Sequence, residues 1–229
     1  MRKITAAQTL CFVLAFCLAL ALSLGTVWLI PMTHALGDFR GVTLVAAELT
    51  LFYLYAMALY RLFLRLRPLT LGPIGKGTPE EFTYHVYLLF YLVLFHSLTR
   101  SRFVPVPLMR LVYLALGARL GENTYSAGTI LDPPLTEVGD NVIIGHDAVL
   151  FSHASEREDL SLAPIRIGHG VTIGAKSVIQ PGVVIGDRAI VAVNAVVSKN
   201  TVIPPGEVWG GIPARRLRGA EETDGARKS

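Results

Sequence analysis

The chain has 229 residues, 52% of them hydrophobic, and a mean hydropathy of +0.50, which is too apolar for an ordinary soluble domain. Its formal charge of +4 comes largely from basic residues beside apolar segments and near the C-terminus, so the composition does not indicate a nucleic-acid-binding protein. Its two cysteines, Cys11 and Cys17, lie six residues apart in one apolar segment, which argues against a disulfide or a metal site there.

The first apolar segment runs from Ile4 to Gly37 without an Asp, Glu, Lys or Arg residue, and residues 10–30 are almost purely aliphatic. About 20 apolar residues suffice to cross the hydrocarbon core of a bilayer, so this segment predicts a transmembrane helix. Arg2 and Lys3 precede it, as basic residues precede a cleaved signal peptide. That alternative is less favoured, because the apolar run is long for a signal peptide and a second run follows.

A second transmembrane helix is predicted over residues 41–64. It contains one carboxylate, Glu48, which should face protein or water because a charge in hydrocarbon is costly. Basic residues flank the outer ends of both helices, whereas the connection between them holds only Arg40, balanced by Asp38. The positive-inside rule therefore predicts a multi-pass protein of the inner (cytoplasmic) membrane, with two spans in residues 1–67 and both termini in the cytoplasm.

Residues 68–117 are predicted to form a linker that contains two helices. Thr78–Glu81 has the pattern of a helix start, with Thr as the N-cap and Pro at the first helical position. The apolar and aromatic helix that follows, residues 82–98, has a shorter uncharged core than the two spans, so we expect it to lie in the membrane interface. If this helix crossed the membrane, the C-terminal half of the chain would lie on the side opposite the cytoplasm. A short amphipathic helix over residues 108–116 should cap the domain that follows.

The C-terminal half contains a strict six-residue repeat. Its large apolar residues are Ile167, Ile173, Ile179, Ile185, Val191, Val197, Ile203 and Trp209. A period of six fits neither an α-helix nor an ordinary strand, but it is the period of a parallel β-helix, in which each such residue points inward and stacks on its equivalent in the next coil. Glycine follows four of these residues, and we expect it at corners where φ must be positive.

The repeat can be followed towards the N-terminus through Leu150, Ile144, Val138, Asp132, Ser126 and Leu120. It breaks once, after Leu150, so residues 155–165 are predicted to leave the coil as a polar excursion loop. In this register Asp132 takes an inward or rim position, where a carboxylate without a role is costly. The predicted solenoid covers residues 118–218, and a polar tail, residues 219–229, follows it.

Several of these segments resemble the hexapeptide-repeat acyltransferases, a family that includes galactoside, maltose and xenobiotic acetyltransferases. The matching residues are 149–153, 164–168, 179–187, 196–199, 203–205 and 210–215. The resemblance implies an all-β left-handed parallel β-helix, here preceded by an α-helical transmembrane region, and a homotrimer. It also implies that acetyl-CoA or another acyl-CoA is the donor substrate, that no metal is needed, and that the chain is a membrane-anchored acyltransferase, most simply an O-acetyltransferase.

His153 takes the position of the family's general base, which removes a proton from the acceptor hydroxyl or amine. An imidazole with a pKa near 6.5 suits that step at neutral pH, and a loop histidine that only caps a turn is the alternative. Asp132 is the candidate for orienting His153, unless it only initiates a turn before two prolines. The acceptor-side candidates are Ser126, His146, Glu156 and Asp159. Glu156 and Asp159 could instead orient His153, and a solvated surface position is the alternative for His146, Glu156 and Asp159.

The resemblance also places the donor in a groove between neighbouring prisms of the trimer. The residues carried over to that groove are Ala175, Val193, Ser198, Lys199, Arg215 and Arg218. The cationic members of this set are suited to the phosphates of CoA, although a basic tail beside anionic lipid is the alternative interpretation.

Two other functions remain open at this stage. The γ-type carbonic anhydrases use the same prism and bind zinc through three histidines, but two of those lie closer together in sequence than His146 and His153 do. A non-catalytic scaffold that only trimerises a membrane protein is the other alternative. For the acyltransferase, the membrane anchor favours a membrane-bound acceptor such as a lipid-linked saccharide.

Overall fold

The computed structural model describes residues 2–29, 37–101 and 104–219. The chain forms two compact units. One is helical and comprises Arg2–Leu69 and Lys76–Leu94, and the other comprises Thr70–Gly75 and the chain from Phe95 onwards. The linker expected over residues 68–117 is thus divided between the two units.

The helical unit contains α1 (Ala6–Leu29), α2 (Arg40–Leu66) and α3 (Pro79–Leu89), with a 3-10 turn (Gly37–Phe39) before α2 and a π-helical segment (Phe90–Phe95) after α3. Polar side chains join α1 to α2. The Ser23 hydroxyl donates to Glu48 Oε1 at 2.6 Å, and the hydroxyls of Thr26 and Tyr55 are 2.8 Å apart. Glu48 therefore faces a protein group, as the cost of an exposed carboxylate in an apolar segment requires.

The start of α3 is fixed to the N-terminal segment. The Thr78 hydroxyl accepts from the Glu81 backbone N–H at 3.3 Å, and the Glu81 carboxylate accepts from the Gly77 backbone N–H at 2.6 Å. Glu81 also pairs with Arg2 at 3.0 Å, with both side chains nearly buried. A charged pair placed here holds the beginning of the chain against α3.

By length and composition, three helical stretches of the described residues could cross a membrane: Ala6–Leu29, Gly37–Leu66 and Pro79–Arg100. The first two are the predicted spans. The third contains α3, the π-helical segment and α4 (His96–Arg100), so its placement in the membrane interface stays a prediction.

The second unit is a parallel β-helix built from three sheets. The first sheet contains β2 (Arg119–Leu120), β5 (Thr136–Val138), β10 (Ile165–Ile167), β13 (Val184–Ile185) and β16 (Val202–Ile203). The second contains β3 (Tyr125–Ser126), β6 (Ile143–Ile144), β11 (Thr172–Ile173), β14 (Ile190–Val191), β17 (Val208–Gly211) and β18 (Ala214–Arg218). The third contains β4 (Thr129–Ile130), β7 (Val149–Leu150), β12 (Val178–Ile179) and β15 (Val196–Val197).

The six-residue repeat places its apolar residues as expected. In the first sheet Val138 pairs with Ile167, Ile167 with Ile185 and Ile185 with Ile203, and all four side chains are buried. The chain passes through the three sheets in turn, so each coil has three corners. The first corner joins the first sheet to the second, the second corner joins the second to the third, and the third corner joins the third sheet back to the first.

The register in the first coil differs from the prediction. Ile130, not Asp132, pairs with Leu150, so Ile130 is the inward residue and Asp132 lies past the end of β4. The second corner of this coil is shortened to residues 127–128, whereas the third corner is lengthened by a 3-10 turn over Pro133–Leu135. The two changes compensate, because Leu120 still pairs with Val138 eighteen positions on. The two prolines favour a turn over a strand at this point.

The glycines that follow inward residues do not have the positive φ that was expected of them. Residues with positive φ at the corners are mostly Asn, Asp, Lys and Arg, and Gly145 and Gly186 are not among the positive-φ glycines. Instead, a Cβ on Gly145 would lie 2.6 Å from Ala175 N, and one on Gly186 would lie 2.6 Å from Pro205 N. Close approach between successive coils therefore requires glycine there.

A short helix closes the N-terminal end of the β-helix. α5 runs over Val106–Leu116, two residues earlier than predicted, because proline is tolerated in the first turn of a helix. The Arg110 guanidinium donates to three backbone carbonyls of the first coil, those of Leu120 at 3.3 Å, Gly121 at 2.8 Å and Thr124 at 3.1 Å. α5 thus satisfies acceptors that the end of a solenoid leaves open.

The excursion predicted after Leu150 is a β-hairpin. Its strands are β8 (His153–Glu156) and β9 (Asp159–Leu162), so it begins at His153, earlier than the expected residue 155. A third antiparallel strand, β1 (Gly72–Ile74), pairs with β9 and comes from the segment between α2 and α3.

Candidate active site

Asp132 and His153 meet at the third corner of the β-helix. His153 Nδ1 lies 2.7 Å from Asp132 Oδ2, which also accepts from the Ser152 backbone N–H at 2.7 Å. A carboxylate can only accept, so Nδ1 carries the proton and Nε2 is the acceptor atom of the neutral ring. The Asp132 side chain is 3% exposed and that of His153 is 30% exposed, so the carboxylate is enclosed while the imidazole reaches solvent.

The 3-10 turn holds Asp132 in this place. The Asp132 backbone carbonyl accepts from the Leu135 N–H at 3.0 Å and from the Thr136 hydroxyl at 3.0 Å. The Ser152 hydroxyl donates to the Leu135 carbonyl at 3.3 Å. The register shift that removes Asp132 from the inward stack therefore directs its carboxylate to the strand end that carries His153.

Two features of the surroundings of His153 shift its pKa in opposite directions. Burial by itself lowers the pKa of an imidazole, because it disfavours the charged form. The hydrogen bond and the negative charge of Asp132 raise it, and together they prevail, so the pKa of His153 lies above its ordinary value of 6.5. A ring with this pKa accepts a proton more readily than a solvated histidine does.

The hairpin contributes a second pair at the same corner. Glu156, at the end of β8, forms an ion pair with the Lys199 ammonium, and the Lys199 backbone N–H donates to Gln180 Oε1 at 3.1 Å. An expected acceptor-side residue and an expected donor-side residue thus bind each other. Asp159 is exposed and is the backbone partner of Glu156 in the antiparallel pairing of β8 and β9. Ser198 precedes Lys199 at the third corner.

Other predicted residues lie at the second corner instead. Ser126 is buried and donates to the Gly128 carbonyl at 3.1 Å, and His146 is exposed with Nε2 3.3 Å from Asp147 Oδ2. Ser126 and His146 both line a cavity of about 540 Å³, which is also lined by Arg100 at the end of α4 and Met109 on α5.

The six residues predicted for the donor do not lie together in one chain. Ala175 and the exposed Val193 are at the second corner, and Ser198 and Lys199 are at the third. Arg215 and Arg218 are exposed on β18, in the antiparallel hairpin that ends the β-helix. A ligand that touched all six would have to reach across separate edges of the prism.

The histidines of the β-helix occupy three different corners. His146 is at the second corner, His153 at the third, and His169 at the first, where its Nδ1 accepts from the Asp140 backbone N–H at 3.0 Å. Within residues 2–29, 37–101 and 104–219, no three His, Cys, Asp or Glu side chains are grouped so that they could hold a metal ion.

Two parts of the site were not predicted. The Ser152 backbone N–H shares the Asp132 carboxylate with His153, and β1 extends the hairpin that carries His153. No pattern in the sequence indicates β1, because a three-residue strand that contains Gly72 and Pro73 resembles a loop.

Comparison with known proteins adds an independent finding. Residues 164–199 match the family model described as bacterial transferase hexapeptide (six repeats). The match covers 36 of the 229 residues and lies within the regular coils of the β-helix. The repeat supports the left-handed β-helix implied by the resemblance, and the parallel sheets on which it depends are present.

The chain is similar to proteins of more than one activity. The galactoside O-acetyltransferase of Escherichia coli K12 is 35% identical over 124 residues, which are 49% of this chain and 60% of that protein. The mitochondrial gamma carbonic anhydrase 1 of Arabidopsis thaliana is 48% identical over 83 residues, 36% of this chain and 26% of that protein. The chain therefore spans about a quarter to three fifths of the length of these curated relatives.

Among solved structures, a galactoside acetyltransferase in complex with coenzyme A is 28% identical, with a TM-score of 0.45. The match covers 57% of this chain and 78% of that one.

Proposed function

We propose that this protein is a CoA-dependent acyltransferase that moves an acetyl group from acetyl-CoA to an acceptor hydroxyl, with His153 as general base. The observation that carries the proposal is the pairing of His153 Nδ1 with the buried Asp132 carboxylate, which leaves Nε2 as a basic atom at a solvent-reaching corner. The similarity to the galactoside O-acetyltransferase supports transfer of an acetyl group to a hydroxyl as the reaction class.

The residues present can perform the proton transfers that this reaction needs. The acceptor hydroxyl donates its proton to Nε2 as its oxygen attacks the thioester carbonyl. Asp132 stabilises the imidazolium that results, because its charge lies against Nδ1. When the C–S bond breaks, the imidazolium returns the proton to the CoA thiolate, so no net proton is left on the protein.

A homotrimer would explain why the proposed donor residues occupy separate corners. Val193 and Lys199 lie at different corners of one prism, but corners of neighbouring prisms can meet in a shared groove. We therefore propose that acetyl-CoA lies between two subunits, with its phosphates near Lys199, Arg215 and Arg218.

We further propose that the helical unit anchors the enzyme in the inner membrane, with the β-helix in the cytoplasm. The apolar lengths of α1 and α2 support two spans, and the basic residues at their outer ends support the orientation. An enzyme tethered in this way would meet a membrane-bound acceptor such as a lipid-linked saccharide.

One specific observation favours a second candidate. The 48% identity to a gamma carbonic anhydrase over 83 residues is consistent with a zinc-dependent hydration reaction. Because His146, His153 and His169 lie at three different corners of one chain, such a zinc site would need histidines from neighbouring subunits. Zinc content and carbon dioxide hydration, measured on the purified chain, discriminate between the two.

The test of the main proposal is thiol release from acetyl-CoA by the detergent-solubilised chain, with a panel of lipid-linked and soluble hydroxyl acceptors. His153→Ala should lower turnover about 10²- to 10⁴-fold, the range typical of a general base. His169→Ala, which removes an exposed histidine at the first corner, is the matched control and should retain activity. Undiminished turnover in His153→Ala would remove the base assignment, and failure of CoA to raise the melting temperature would favour a scaffold.

A further inference from the structure

The hairpin that carries His153 has a third strand supplied by a distant part of the chain. In the sheet β1-β9-β8, Gly72 pairs with Leu162, and Leu162 pairs with His153 on its other side. His153 is therefore at the end of a three-residue row that begins in β1. The row two positions along is Ile74, Leu160 and Ser155.

Residues in these two rows lie on one face of the sheet, because directly paired side chains and every second residue along a strand share a face. The apolar members Ile74, Leu160 and Leu162 are 4%, 4% and 1% exposed. His153 thus shares its face with a buried apolar group to which β1 contributes Ile74. By contrast, Pro73, between the two rows, is exposed on the opposite face.

A two-stranded hairpin by itself is only marginally stable in water, and a third strand with an apolar face is the usual requirement for independent stability. β8 and β9 are four residues each. The first residue of β8 must also keep Nδ1 within 2.7 Å of Asp132. That geometry needs a hairpin that does not open.

We propose that the linker strand Gly72–Ile74 is a positioning element for the active site, which orders the β8–β9 hairpin and thereby keeps His153 against Asp132. The value of this positioning for catalysis rests on the proposed role of His153 as the base. Ile74 touches no reacting group in this scheme and acts only through the hairpin. The hexapeptide repeat itself does not contain this strand, because β1 precedes the first strand of the β-helix in the chain and is separated from it by α3, α4 and α5.

The test compares Ile74→Ala with Leu71→Ala in the full-length, detergent-solubilised chain. Leu71 is the matched control, since it is an apolar residue of the same size just before β1, but 51% exposed. Backbone amide hydrogen exchange is measured in residues 153–162 and, as an internal control for folding, in residues 172–203. Ile74→Ala should speed exchange in the hairpin at least about tenfold and leave the coils unchanged. Ile74→Val should lie close to the unsubstituted chain.

The pH–rate profile is a second readout, and it should not change if β1 only stabilises the fold. Opening of the hairpin takes His153 away from Asp132, so the rising limb of the pH–rate profile should shift to lower pH in Ile74→Ala and return in Ile74→Val. If Ile74→Ala matches Leu71→Ala in both exchange and pH profile, the inference is wrong. If the unsubstituted chain shows no CoA-dependent turnover, the proposed function fails, while the exchange comparison still decides whether β1 orders the hairpin.

Discussion

Replacing Asp132 with asparagine removes one charge from the site and changes little else. The asparagine side chain would have nearly the same shape, and its carbonyl oxygen could still accept from the Ser152 N–H. What is lost is the charge-assisted bond to His153 Nδ1, now 2.7 Å long. Hydrogen bonds to charged groups contribute about 1.5–3 kcal/mol, and about 1.36 kcal/mol corresponds to a factor of ten. We therefore expect kcat/KM for acetyl transfer to fall roughly 10- to 150-fold in Asp132→Asn.

The same substitution should change the pH dependence in a defined direction. The pKa of His153 is raised above 6.5 by Asp132, and a base acts only when it is neutral, so activity should rise as the pH passes that raised value. Asp132→Asn should move the rise to lower pH. A group whose pKa is raised in the folded state stabilises the protein at low pH, and this contribution to the free energy of unfolding disappears as the pH rises through the raised pKa. The stability difference between the two proteins should therefore be larger near pH 5 than near pH 9.

The matched control for this experiment is Asp140→Asn. Asp140 Oδ2 lies 3.1 Å from His169 Nδ1 at the exposed first corner, but that nitrogen accepts from the Asp140 backbone N–H, so the carboxylate there has no imidazole N–H to bind. Steady-state rates over a range of pH, together with denaturant unfolding at the two pH values, provide the assay. The reasoning would be refuted if Asp132→Asn kept the unsubstituted profile or if Asp140→Asn lost as much activity.

Three further predictions concern the donor and the coils. Lys199→Gln should raise KM for acetyl-CoA several-fold, whereas Glu156→Gln should not. The loss of the Lys199–Glu156 ion pair should lower stability by no more than about 1 kcal/mol, since Glu156 is exposed. Arg110→Ala should lower the free energy of unfolding by about 1–3 kcal/mol, because three carbonyls of the first coil lose their donor, as urea unfolding can measure. Gly174→Ala should destabilise by a similar ~1–3 kcal/mol, because its Cβ would lie 2.5 Å from the Ala192 carbonyl carbon, and equal midpoints in thermal melts would contradict this.

The regular part of the β-helix could be predicted because each coil repeats the same physical requirement. One inward apolar residue every six positions stacks on its equivalent, so Ile167, Ile185 and Ile203 could be assigned from spacing alone. The excursion could be predicted as a break in that spacing. The six-residue spacing and its break are local features of the sequence, and both are present in the structure.

The irregular part could not be predicted, because it depends on compensation and on contacts between distant segments. The six-residue spacing predicts an inward or rim position for Asp132, because nothing local shows that one corner is two residues short and the next is longer. Asp132 was expected to orient His153, and the shift is what brings its carboxylate to within 2.7 Å of the ring. The pairing of Gly72 with Leu162 is equally invisible, because a strand of three residues has no periodicity that a pattern could detect.

The central claim is that His153 removes the acceptor proton in acyl transfer from CoA, and the pH dependence of kcat/KM with and without this imidazole tests it most directly. In the unsubstituted chain, thiol release from acetyl-CoA should increase through a single pKa above 6.5. In His153→Ala the rate should be lower by about 10²- to 10⁴-fold, and that limb should be absent. A His153→Ala variant that kept both the rate and the limb would contradict the account.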